Sequence, residues 1–235
     1  MQKTLGIVLH TTPFKDKDVI VKLYTQSLGL VSFIVSNVKS PKSKIKSSLL
    51  QPLSVLEITF SFLSSKSLQR LDEASLHFQN IGIQSSIEKT ALLYFMNEVL
   101  YKSIKEEEAN PKLFEFIISK INDLENANKF FFFTISFLLQ LSYYLGFYPN
   151  NNYSINTVCF DMIEGSFSNS LPTHSFVIEK KYCKHFVSFI DEEFEVEISP
   201  ADRNVIVFKL IDYYQLHIAN FGNIKSLKVF NEMWG

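Results

Sequence analysis

IVLHTTPFKDKDVIVKLYTQSLGLVSFIVSNVKSPKSKIKSSLLQPL, residues Ile7 to Leu53, is the stretch whose reading decides the fold. Two runs in it, Val19–Thr25 and Leu30–Val35, have the alternation and the β-branched content of strands. Gln26-Ser27-Leu28-Gly29 joins them, and its glycine can take the positive φ of a tight hairpin. The second run feeds Ser36–Ser48, a loop with Lys39, Lys42, Lys44, Lys46 and no acid. A small meander feeding a mobile basic loop predicts a surface that meets an anionic polymer.

Working outward, Thr4–His10 reads as a first strand that stops at Thr11-Thr12-Pro13, followed by the charged loop Phe14–Asp18. Gln51-Pro52 marks a turn, Leu53–Phe62 a long strand, Ser64-Ser65-Lys66 another turn and Leu68–Leu76 a fifth strand. Five short strands in about eighty residues fit a small barrel such as the OB-fold. Periodicity alone does not separate that from an SH3-like barrel.

The pattern turns helical near Ser86, a candidate N-cap without the Glu or Gln of a capping box. Ala91–Tyr101 and Lys112–Leu124 are expected helices, the second opened by Pro111. Residues 130–148 form a run of 19 without a charge, which just reaches membrane-spanning length. It has no polybasic flank, and Ser136, Gln140 and Tyr143 or Tyr144 give it a narrow polar stripe, so a helix central to a small bundle is expected. Residues 154–198 are the least legible, with hairpins expected at Val158–Phe167 and Ser175–Glu179. Ser199 and Pro200 open a clear helix reaching His217, and a short one is expected from Lys225 to Met233.

The formal net charge of −1 hides an asymmetry. Residues 1–80 hold ten bases against five acids, a balance of +5, while the remainder holds thirteen bases against nineteen acids, a balance of −6. Two parts with different partners are expected. The two cysteines, Cys159 and Cys183, form no CxxC pair; they suit a reducing cytosol, and a single disulfide stays open. The first apolar run is too short for a signal peptide.

Nothing reads as a catalytic centre: the chain has no P-loop, GxGxxG, GxSxG or HExxH. His185 two residues from Cys183 falls short of a four-ligand zinc set, so no metal and no cofactor are expected. For nucleic acid the candidates are Lys15, Lys17, Lys22, Lys39, Lys42, Lys44 and Lys46 on the backbone, with Phe14 and Tyr24 offering a face to bases. The competing reading is a solvated loop beside barrel-core aromatics, and Phe33 is read as core.

Val8-Leu9-His10-Thr11-Thr12-Pro13-Phe14, then Leu23-Tyr24-Thr25 with Gly29-Leu30-Val31-Ser32, then the lysine loop closed by Leu49-Leu50-Gln51-Pro52-Leu53, and Leu71-Asp72-Glu73-Ala74 follow in order. So do Tyr94–Leu100, Pro111-Lys112-Leu113-Phe114, Leu145-Gly146-Phe147-Tyr148-Pro149, Tyr213–His217 and Lys225–Val229. Together they resemble the RecO family, recombination mediators of bacterial DNA repair, over nearly the whole chain.

The resemblance implies an α+β architecture, an OB-fold DNA-binding domain at 1–80 followed by a helical domain at 81–235. It implies a cytoplasmic, nucleoid-associated, non-enzymatic protein that binds single- and double-stranded DNA, anneals strands, acts with RecR and relieves SSB to allow RecA loading, away from any membrane. For the SSB C-terminal tail, Lys112, Lys120 and Lys129 are candidate contacts. Many members carry a four-cysteine zinc ribbon after the segment matching Leu145–Pro149. Here only Cys159 stands there, so 154–198 is read as a degenerate, zinc-free insertion whose hairpin is held by apolar residues. The alternative function is a protein-interaction adaptor acting through the helical domain without DNA.

Overall fold

A computed structural model of the chain describes residues 1–79, 81–105, 107–194 and 196–227. It divides into two compact units, Met1–Asn126 and Ala127–Gly235.

The first unit is built on five strands: β1 Gln2–Pro13, β2 Val19–Thr25, β3 Gly29–Val35, β4 Val55–Ser61 and β5 Leu68–Leu76. They close into a barrel in the order β1-β2-β3-β5-β4, all neighbours antiparallel except β3 and β5. Closure removes the free edges an open five-strand sheet would present. The alternation seen in the sequence becomes an inside and an outside. Val21, Leu23, Phe33, Val35, Leu56, Ile58 and Phe60 fill the interior, and the Phe33 and Phe60 rings meet edge-on at 5.0 Å. Phe33 is thus core, as its strand position indicated.

The hairpin glycine does two things. Gly29 has φ +69°, and a Cβ there would stand 2.3 Å from the Glu108 carbonyl oxygen. The turn needs the left-handed backbone, and the close approach needs the missing side chain. Thr25 closes the turn, its hydroxyl donating to the Gly29 carbonyl at 2.9 Å and accepting from Leu28 N–H at 3.1 Å.

Among the described residues, three α-helices complete this unit: α1 Ile81–Gln84, α2 Ile87–Ser103 and α3 Pro111–Asn126. Ser86 caps α2, accepting from Lys89 N–H at 3.2 Å, and its own hydroxyl donates to Glu88. The register of β1 against β2 slips at Leu9, a bulge whose carbonyl accepts from the Asn97 side chain of α2 at 3.0 Å. Tyr24 packs against Phe114 of α3 at 6.1 Å.

In the second unit, α4 Phe133–Tyr144 is shorter than the uncharged run and buries Ile135, Phe137, Leu138, Leu139 and Leu141. Among the described residues no helix is long and apolar enough to cross a membrane. Ser199 caps α6 Pro200–His217, accepting from Asp202 N–H at 3.1 Å, and the buried Tyr214 hydroxyl donates to the Leu138 carbonyl of α4 at 2.6 Å.

The hairpin expected at Val158–Phe167 forms as β6 Cys159–Asp161 and β7 Ser166–Ser168. Ser175–Glu179, by contrast, is no hairpin and supplies one strand, β8 Val177–Glu179, to a sheet in the order β7-β6-β8. This sheet is held without a cysteine cage. Phe160 sits edge-on to Phe167 at 5.1 Å, Phe186 at 4.9 Å and Tyr213 at 5.9 Å, and the Asn152 amide brackets the Phe167 backbone at 2.9 and 2.8 Å. Among the described residues no group of three or more His, Cys, Asp and Glu could hold a metal ion, and Cys159 and Cys183 are free and buried.

Helix α5 Lys180–Ile190 was not expected from the sequence. Tyr182, Cys183, Phe186, Phe189 and Ile190 recur at helical spacing and are buried. It follows a strand directly, and Glu179 makes no side-chain cap, so the usual start signal is missing. The helix expected from Lys225 to Met233 falls mostly outside the described residues.

Candidate nucleic-acid interface

The lysine segment between β3 and β4 is anchored rather than loose. Val38 and Ile45, 5% and 3% exposed, belong to the barrel core, and so does Leu50 after them. Apolar residues in a basic loop are costly in water, so these plug the barrel end and leave the lysines between them outside. Lys39, Lys42, Lys44 and Lys46 are all exposed. Local hydrogen bonds fix the path: Ser40 N–H to Asn37 O at 2.8 Å, Ser43 N–H to Ser40 O at 3.0 Å and Ser43 Oγ to Ile45 O at 2.7 Å.

The β1–β2 loop is tied to this segment. Val38 N–H donates to the Lys17 carbonyl at 2.9 Å, and Asn37 N–H donates to the Asp18 carboxylate at 3.0 Å. Phe14 N–H donates to the Asp18 carbonyl at 2.8 Å, closing the loop that carries Lys15 and Lys17. Two loops distant in sequence become one surface, with Asp18 occupied in holding it together. Among the described residues, Lys15, Lys17, Lys39, Lys42, Lys44 and Lys46 form no ion pair. Six ammonium groups outside any ion pair, against the acids Asp16 and Asp18 in the same loops, give this barrel end a net positive field that attracts a polyanion.

The other expected contacts are placed differently. Tyr24 is 1% exposed, its ring beside Phe114 and its hydroxyl donating to the Asn110 carbonyl at 3.4 Å. Strand alternation puts it outside the barrel, but α3 covers it, so its face is not open to a base. Phe14 is half-buried with the Lys15 ammonium 5.4 Å from its ring centre. Lys22 is half-buried, its ammonium 5.5 Å from the Tyr101 ring of α2. His10, opposite Lys22 in the β1–β2 register, stacks on the same tyrosine at 4.4 Å. Burial and the Lys22 charge hold this imidazole below its usual range.

Sequence reasoning passed over Arg70. It lies on β5 opposite Ile34, with its side chain 79% exposed and 3.7 Å from Asp72. A groove of about 210 Å³ runs between this arginine and the lysine segment, lined also by Asn37, Lys42, Lys44 and Asp72. Only the parallel β3–β5 register brings Arg70 to the lysines. That pairing joins residues about 36 apart, and no local pattern announces it.

The partner candidates fall in different units. Lys112 and Lys120 stand on α3 in the first unit, and Lys129 is exposed in the second. Lys120 is committed to Asp123 at 2.8 Å and lies 5.9 Å from the Phe116 ring centre, while Lys112 is exposed.

The barrel and the helical part coincide with two family models. Residues 1–79 match the N-terminal model of recombination protein O, and residues 84–227 match the C-terminal one. Full-length relatives agree. A protein of Phocaeicola vulgatus named DNA repair protein RecO is 32% identical over 239 residues, covering 100% of this chain and 99% of its own length. Proteins of the same name from Christiangramia forsetii and Flavobacterium johnsoniae are each 32% identical, covering 99% of this chain and 98% of their own length.

Proposed function

The chain belongs to the RecO family of DNA repair proteins, recombination mediators rather than catalytic enzymes, and from that premise we propose that its barrel end is the DNA-binding surface. The observation that carries this is the pair of hydrogen-bonded loops with six unpaired lysines. Each lysine that meets a phosphate displaces condensed counterions, so binding is driven by charge and indifferent to sequence. A surface of this kind accepts single and double strands alike. Two complementary strands held on one positively charged surface repel each other less, which favours annealing.

In this reading residues 1–80 are the DNA-binding domain and 81–235 the helical domain, with 154–198 as its metal-free insertion. The protein acts in the cytoplasm, with RecR, to relieve SSB from single strands so that RecA can load. The acidic C-terminal tail of SSB would seek a base beside apolar surface. Lys112 and Lys129 are exposed and retained for that role; Lys120 already has an acidic partner.

The test is the full-length protein with Lys39, Lys42, Lys44 and Lys46 all changed to Ala, titrated into labelled DNA at several salt concentrations. Weaker binding and a shallower salt dependence are expected, with an unchanged thermal melt. An affinity equal to wild type at every salt concentration overturns the assignment of this surface.

A further inference from the structure

The β4–β5 connection, residues 62–67, is shaped from within. Gln69 follows it and is 3% exposed. Its Oε1 accepts from Leu63 N–H at 2.9 Å, and its Nε2 donates to the carbonyls of Leu63, at 3.0 Å, and Lys66. A buried amide must be satisfied to be tolerated, and this one spends its groups on the loop's own backbone. The result is a fixed loop rather than a slack one.

What the fixed loop displays is apolar. Phe62 is 41% exposed and lines a cleft of about 400 Å³. Lys22 and Lys66 stand in the same cleft, with Ser32 on its wall and Glu107 as the acid among the residues lining it. The cleft lies along the parallel β3–β5 pair, where Ser32 faces Leu68 and Ile34 faces Arg70. The Arg70 groove continues along the same pair, starting at Val35. At about 3.3 Å per strand residue, Ser32 and Val35 are roughly 10 Å apart, so the two clefts are neighbours on one strand pair. An aromatic ring at one end, cations along the length and a lysine segment at the other end match one kind of polymer: a strand of nucleic acid with unpaired bases.

We propose that the β4–β5 loop is a stacking platform for single-stranded DNA. Phe62 receives an unpaired base, Lys22 and Lys66 meet the flanking phosphates, and Arg70 passes the backbone on to Lys42 and Lys44. Gln69 is a positioning residue that acts through the loop. This rests on the DNA-binding reading of the barrel and adds which form of DNA each part recognises. Bases in a duplex are stacked on one another and offer no free face, so Phe62 contributes to single strands alone. The lysines contribute to both forms.

The experiment uses the full chain, a labelled oligothymidine and a labelled duplex of equal length. Phe62→Ala is expected to weaken single-strand binding at least about fivefold, from the usual worth of one base stacked on an aromatic ring. Duplex affinity is expected to stay as it was. Phe62→Trp restores the single-strand affinity, which a merely structural role at a half-exposed site would not require. Gln69→Ala lowers it again by releasing the loop. Phe62→Ala leaving single-strand binding unchanged, or weakening both forms equally, overturns the platform. The lysine variant described above runs alongside: if it weakens both forms while Phe62→Ala is neutral, the platform alone fails; if it too is neutral, the DNA-binding reading fails with it.

Discussion

Ile45→Ala separates an anchored basic segment from a free one. Ile45 is 3% exposed and packs in the barrel core with Val38 and Leu50. Truncating a buried isoleucine to alanine costs roughly 2–5 kcal/mol, and at a barrel end that can settle the lower part of that range, about 2–3 kcal/mol, is expected. For a chain of 235 residues, each kcal/mol lowers the melting temperature by about 2–4 °C, so a fall of roughly 4–12 °C should appear in a thermal melt followed by circular dichroism. Lys44→Ala, one position away and exposed, should move the melt by no more than about 2 °C. DNA binding gives the second reading. Ile45→Ala removes no charge, yet affinity should fall, because lysines on a loosened segment must be ordered at each encounter. A melt within about 1 °C of wild type would refute the reasoning, since the segment would then owe nothing to the core.

Two further predictions concern the fold itself. Gly29→Ala meets both a left-handed backbone and the Glu108 carbonyl at 2.3 Å. It should destabilise the first unit by about 2 kcal/mol or more, and an unchanged denaturant midpoint would mean the hairpin does not approach that segment. In Cys183, burial first, then the neighbouring Cys159, pushes the thiol up from 9.0 to about 11. Two pH units leave about a hundredfold less thiolate near neutrality, so a thiol reagent should label it far more slowly in the native than in the denatured protein. Equal rates would contradict the packed position of α5.

The barrel was legible in the sequence because its strands are short, alternating and separated by turn chemistry. Gln26–Gly29 and Leu68–Leu76 needed little beyond local rules. The membrane-length run resolved into a helix of 12 residues because Phe130 to Phe132 precede it and Leu145 to Tyr148 follow it outside the helix. What escaped reading was set by distant contacts. The charge of the basic loop was visible, but its anchoring was not, because Val38 and Ile45 look like stray apolar residues until the barrel end is closed. Tyr24 sat at an outward strand position and looked available; α3, almost ninety residues later, covers it. Arg70 and Phe62 joined the surface only through the parallel register of β3 with β5. α5 carried helical periodicity but no cap, and the neighbouring strand residues hid its start.

The most direct measurement is fluorescence anisotropy of a labelled single-stranded oligonucleotide against the purified full-length protein across a salt series. Each phosphate contacted contributes a log–log slope of about −0.7, so three to six of the unpaired lysines in contact give a slope of roughly −2 to −4. That result, with a shallower slope when Lys39, Lys42, Lys44 and Lys46 are removed, is what the account predicts. No binding even at low salt, or a slope near zero, would contradict it and move attention to the helical domain as a protein-binding surface.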